Sequence, residues 1–204
     1  MTTAPAQTLP RMTVAEFLLW RPELSDDGRY ELVGGQPVRL MSPTNIRHAR
    51  IQRNASEALR RAVAESAVPC EVFDAGPGVA VGAEGDECRI PDVVVSCAGA
   101  IDDSAYLVPE PVIVIEVASR STRLADVNDK VEFYSRITSI RHYLVIEQDQ
   151  RRVVYHRRGP AGGLEPQILR AGGIALDPPG IALTLGDLYR ETALAEPAAA
   201  PRAT

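Results

Sequence analysis

The sequence predicts a mixed α/β domain of the α+β kind: a central mixed β-sheet flanked by helices, with a helix and a β-hairpin at the N-terminal end. Three observations predict it. The runs Arg89–Val95 and Pro111–Ser119 are β-branched and apolar on both faces, the pattern of strands covered on both sides. A long helical stretch, from about Thr44 to Ala67, precedes them, and Asp126, Lys130 and Tyr134 follow at four-residue spacing, one face of a second helix. Beyond it, Arg141–Ile146 and Arg151–Arg157 read as paired strands.

Taken in order, Thr13-Val14-Ala15-Glu16 is a capping box that opens a short helix running through Trp20. Arg29 to Leu40 reads as a hairpin closed by Gly34-Gly35. The long helix comes next. Short strands and Gly-rich turns occupy about Cys70 to Cys97, and Gly99 to Glu110 is expected to be a loop between the two acid-bearing strands. After the paired strands a Gly/Pro-rich connector leads to a last short helix near Leu185 to Thr192. We expect one domain over residues 11–194, with Ala/Pro/Thr-rich disordered tails at 1–10 and 195–204.

Composition excludes several classes. The N-terminus has no basic-plus-apolar leader, so a cytoplasmic protein is expected. No apolar run approaches the ~20 residues of a membrane helix. Cys70, Cys88 and Cys97 are expected to be small buried thiols; with three scattered histidines they make no zinc pattern. Gly76-Pro77-Gly78 lacks the lysine of a phosphate-binding loop.

Charge placement points to chemistry. Of the 22 lysines and arginines, Lys130 is the single lysine. Arginine stays protonated on a broad planar fork, whereas lysine is a compact charge whose pKa moves on burial, so the exception marks a place where arginine does not serve. Glu116 sits near the end of one doubly apolar run, on the same face as Val112 and Val114, where a carboxylate is costly without a positive partner. Asp92 stands at the start of the other run, after Pro91. Adjacent strands would bring the two acids side by side, an arrangement favoured by a cation between them; two oxygens plus waters suit Mg2+ or Mn2+. Read singly, Asp92 is equally a turn cap, and Glu116 a partner for Arg120 or Arg123.

Pro91-Asp92, then Glu116-Val117-Ala118-Ser119 with Ser121-Thr122, then Asp126, Lys130, Tyr134 and His142-Tyr143-Leu144-Val145, resemble the PD-(D/E)XK nuclease superfamily. Together with Arg29-Tyr30-Glu31-Leu32 and Met41-Ser42-Pro43 followed by His48, they resemble more closely its Uma-two group of proposed restriction endonucleases, from about Met12 to Tyr189. The resemblance implies a restriction-endonuclease-like core and a metal-dependent endonuclease acting on DNA, with Asp92 and Glu116 as metal ligands. Lys130 would be catalytic and Glu31 an additional acid; His48, Ser119, Asp126 and Tyr134 would line the site. One departure is plain: the superfamily's usual lysine lies two residues after the glutamate, where this chain has Ala118. In the Uma-two group it sits on the following helix, the place Lys130 fills. Ser119-Arg120-Ser121-Thr122 also carries arginine where the group often has proline.

The net charge of −5 is unusual for a nucleic-acid binder. Arg47, Arg50, Arg53, Arg60 and Arg61 crowd the long helix; they read either as a solvated face or, led by Arg47 and Arg50, as phosphate ligands. Cutting two strands favours a homodimer. Two other readings stay open: a silent nuclease fold binding nucleic acid or protein, with Glu116 and Lys130 as a structural ion pair, and a sugar or nucleotide hydrolase using Asp92 and Glu116 as an acid–base pair.

Overall fold

A computed structural model of the chain describes residues 11–20, 29–40, 45–74, 76–118 and 124–195, the side chains of 124–126 apart. Ser119, Ser121 and Thr122, the Met41-Ser42-Pro43 segment and the expected tails, residue 195 excepted, lie outside the described residues.

Helix α1 (Val14–Trp20) starts at the capping box: Thr13 N donates to Glu16 Oε2 at 2.7 Å, and Glu16 N donates back to Thr13 Oγ1 at 3.2 Å. Strands β1 (Tyr30–Val33) and β2 (Gln36–Arg39) form the expected hairpin, with Gly34 and Gly35 both at positive φ, as a two-residue turn of this kind requires. Helix α2 (Ile46–Ser66) is capped by Asn45, whose side chain accepts from His48 N. Then come β3 (Glu71–Asp74), β4 (Val79–Ala80), β5 (Cys88–Arg89), β6 (Val93–Ser96), β7 (Pro111–Ala118), α3 (Leu124–Arg136), β8 (His142–Glu147) and β9 (Val153–Arg158).

The run Arg89–Val95 is not one strand. Pro91 has no N–H to give a ladder, and the chain changes sheets there: β5 joins β4, β1 and β2 in a small sheet, while β6 enters the main one. The stretch expected to be a connector is ordered too: β10 (Leu164–Leu169) pairs with β9, and β11 (Gly173–Leu176) and β12 (Ile181–Thr184) make a hairpin before the short α4 (Leu185–Tyr189). Strand β10 is largely exposed, so it lacks the apolar signature by which sequence reading finds strands.

The main sheet runs β10-β9-β8-β7-β6-β3, and only β7 and β8 are parallel. Its two faces are covered differently. On one, Ile51, Ala55 and Leu59 of α2 pack with Val93, Val95, Ile113, Ile115, Leu144 and Ile146, joined by β11, β12 and α4. On the other, Phe133 and Tyr134 of α3 pack with Val94, Val114, Tyr143 and Val145. Full burial of such side chains contributes roughly 1.5–3 kcal/mol each. A bulge between Val95 and Ser96 moves Val112 to the α2 face, rather than leaving it on the face of Glu116 as strict alternation predicts.

The thiol expectation needs a correction. Cys70 and Cys97 form a disulfide, because the pairing of Glu71 with Ser96 places the two cysteines next to each other, Cα atoms 4.0 Å apart. Cys88 is buried and lies outside any disulfide. The 27-residue separation hides the pair from sequence reading.

Candidate active site

Strand β7 presents Glu116 on the α3 face, 8% exposed. From α3, Lys130 Nζ donates to Glu116 Oε2 at 2.9 Å and the Tyr134 hydroxyl donates to Oε1 at 2.8 Å. The four-residue spacing of these two side chains on a helix sets both oxygens at once. Tyr134 is itself held by Phe133 and by Tyr143, ring centroids 5.1 and 4.7 Å away. Burial pushes the Glu116 carboxyl up to about 7; Lys130 opposes this, and the charges of Asp92 and Glu31 add to it. Burial and the Glu116 charge also push the Tyr134 hydroxyl well above its ordinary value.

Asp92 comes from the neighbouring strand. The register that pairs Val93 with Ile115 extends to Asp92 beside Glu116. Its Oδ2 accepts from Val117 N at 2.7 Å, and its Oδ1 lies 3.1 Å from His48 Nε2. His48 and Gln52 are one turn apart on α2, and Gln52 Nε2 donates to the Asp92 carbonyl at 3.2 Å. Helix α2 therefore clamps Asp92 from one side while β7 holds it from the other.

Glu31 stands behind this pair. Its Oε1 accepts from Ile90 N at 2.9 Å, and its Oε2 faces Arg89 Nη1 at 3.5 Å. Arg89, 4% exposed, also reaches Glu87 and lies over the Phe133 ring of α3. Sequence reading passed over Arg89 and Gln52. The rule that singled out Glu116, a charge inside an apolar run, applies equally to Arg89. Gln52 carries no such signal.

Asp92, Glu116, Lys130, Tyr134 and His48 thus converge, with Glu31 adjoining. Ser119 and the Asp126 side chain lie outside the described residues. Arg47 is engaged elsewhere, donating to the Gln148 carbonyl at 3.1 Å and lying 3.7 Å from Asp149; Arg50 joins Arg47 and Asp149 in lining an open surface depression. The rest of the arginine-rich face of α2 is tied into ion pairs: Arg53 with Glu57 and Glu191, Arg60 with Asp74, Arg61 with Asp187.

Among the described residues no group of three or more His, Cys, Asp or Glu side chains is disposed around a metal position. Two adjacent carboxylates, one with its pKa raised chiefly by burial and further by its acidic neighbours, nonetheless make a hard-oxygen donor set that suits a cation keeping much of its water.

The profile of the Uma2 family, described as "Putative restriction endonuclease", matches residues 14–186. The chain belongs to the Uma2 family. A crystal structure of a "putative nuclease" of the DUF820 group from Anabaena variabilis superposes with a TM-score of 0.64 at 17% identity, covering 87% of this chain and 97% of that one. At that identity the likeness speaks for the fold, which is restriction-endonuclease-like, with a mixed central sheet between helices. Among curated proteins, none matches. No helix among the described residues of this Uma2 protein is long and apolar enough to cross a membrane.

Proposed function

We propose that this Uma2 protein is a metal-dependent endonuclease hydrolysing phosphodiester bonds of DNA. The observation that carries the reading is the convergence of two carboxylates from adjacent strands, Asp92 and Glu116, with the chain's single lysine 2.9 Å from one of them. Asp92 and Glu116 would hold Mg2+ or Mn2+, with Glu31 the additional acid behind them. When bound, such an ion would supply a water of lowered pKa and would polarise a phosphoryl oxygen. Lys130 offers a compact ammonium beside that position, to orient the attacking water or to neutralise charge on the phosphoryl group. Tyr134 keeps Glu116 pointed at the site, and His48 does the same for Asp92. Hydrolysis adds water across the P–O bond, so no other co-reactant is required. A homodimer is the expected working form, since cutting a duplex takes two strand cleavages, and the cytoplasm the expected setting.

One observation favours a second reading. Both Glu116 oxygens already have partners, Lys130 and Tyr134, as in a purely structural buried pair within a silent binding fold. Supercoiled plasmid at low salt separates the two. The nuclease reading expects nicking with Mg2+ or Mn2+ that vanishes in Lys130→Ala and in Asp92→Asn. No cleavage with either metal, or equal cleavage by wild type and Lys130→Ala, sinks it.

A further inference from the structure

We infer that Glu31 is a positioning residue rather than a metal ligand: paired with the buried Arg89, it holds the chain where it crosses between the two sheets and so sets Asp92 beside Glu116. The inference deepens the nuclease reading and rests on it for the work that Asp92 does once placed.

Asp92 stands in the crossing itself. Cys88 and Arg89 ladder in the small sheet and Val93 begins the main one, so Ile90, Pro91 and Asp92 lie in neither. Pro91 has no N–H by which to be anchored. Two side chains supply what a ladder would. Glu31 Oε1 accepts from Ile90 N at 2.9 Å, and Gln52 Nε2 donates to the Asp92 carbonyl at 3.2 Å. With one grip on each side of Pro91, the Asp92 carboxylate reaches Val117 N at 2.7 Å and His48 Nε2 at 3.1 Å.

Both Glu31 oxygens are engaged. The register that pairs Leu32 with Cys88 extends to Glu31 opposite Arg89, and Oε2 faces Arg89 Nη1 at 3.5 Å. The two side chains are 6% and 5% exposed, and neither charge is tolerable there alone. Arg89 meets Glu87 at 3.4 Å, and its Nε has no hydrogen-bond partner among the described residues. It therefore serves Glu31 as a counter-charge more than as a hydrogen-bonding fork. A carboxylate with one oxygen on an amide and the other on a guanidinium is already neutralised, which suits holding a backbone rather than gathering a second cation.

The Val117 amide reports where Asp92 sits, because Asp92 Oδ2 is its acceptor. Residue-resolved hydrogen exchange in EDTA, read by NMR, is paired with calorimetric titration of Mn2+ into the same proteins. These are wild type, Glu31→Ala, Arg89→Met and the double variant Glu31→Gln/Arg89→Met. The double variant keeps an acceptor for Ile90 N and leaves no Glu31 charge to compensate, while Glu87 retains Arg136. In Arg89→Met alone, the uncompensated Glu31 carboxylate is drawn towards water.

Val117 is expected to exchange about tenfold faster in Glu31→Ala and Arg89→Met, the order set by a lost hydrogen bond to a charged group. Leu144 of β8 should keep its rate, whereas a general loss of stability would speed both amides. Mn2+ binding should weaken about tenfold in the two single variants, as for other supports of a metal ligand. The double variant should recover most of both. Equal acceleration at Val117 and Leu144, or none at either, overturns the clamp. So does Mn2+ binding lost as fully in the double variant as in Glu31→Ala, which would make Glu31 a ligand. Selective acceleration at Val117 in a protein that neither binds Mn2+ nor nicks plasmid keeps the clamp and removes the nuclease reading. Metal-dependent nicking with Val117 unmoved by Glu31→Ala does the reverse.

Discussion

The two faces of the main sheet carry ion pairs of opposite character. On the α3 face, Glu116 and Lys130 meet inside the packing, with side chains 11% and 17% exposed. On the α2 face, Arg61–Asp187, Arg53–Glu191 and Arg190–Glu57 lie at the surface and fasten α4 to α2, alongside the buried Asn54, which donates to the Leu188 and Arg190 carbonyls. Surface pairs are screened by water and exchange partners cheaply, so arginine serves throughout. The buried pair sits where solvent does not compensate a lost partner, and Lys130 makes it, although the still more buried Glu31 is met by an arginine, Arg89. The same chemistry is a fastener in one place and a poised charge in the other.

The widest separation between the two faces is expected in pH dependence. Glu116 has a folded pKa of about 7 against an ordinary 4.5, so the native state holds a proton that the unfolded state has released. Stability is full below about 4.5 and falls as pH rises to about 7, by about 3 kcal/mol in all, then levels off. Urea denaturation in EDTA across this range should show that slope in wild type and a flatter curve in Glu116→Gln. Identical curves would mean that Glu116 is ionised at little cost.

A smaller effect is expected of Lys130→Met. Glu116 takes up a proton rather than remaining as a lone buried charge, which limits the loss to about 1.4 kcal/mol per pH unit above 7. The variant should therefore lose about 1–2 kcal/mol at pH 8 and almost nothing at pH 5. A loss independent of pH would assign Lys130 to packing alone. The smallest effect belongs to the other face: Arg61→Ala should leave the urea midpoint within error at low and high salt. A clear, salt-sensitive drop would show that the α4 pairs hold more than their exposure suggests.

Much of the site was legible because buried charge is costly wherever it falls. Glu116 in Pro111–Ala118 and Asp92 before Val93–Ser96 both interrupt apolar runs, and Lys130 and Tyr134 fall on one helical face. Of the partner choices, the pairing of Lys130 with Glu116 was legible and the others were not. Arg120 and Arg123, the other candidates for Glu116, lie outside the described residues; among the described ones its hydrogen bonds come from Lys130 and Tyr134. His48 on Asp92 spans 44 residues and Arg89 beside Glu31 spans 58 by number, separations at which spacing says nothing. Strand β10 escaped notice because its faces are mostly wet.

What the sequence determined by itself is local: which segments alternate with a period of two or of 3.6, where caps and turns stop them, and which charges would be expensive to bury. The tertiary structure alone decided how those charges are neutralised. It set β6 against β7, so that Asp92 stands beside Glu116, laid His48 of α2 on Asp92, and brought Cys70 to Cys97. Side-chain periodicity encodes which face of an element is buried, whereas the partner a buried group meets depends on strand order, register and helix docking, which are fixed only when distant segments pack together.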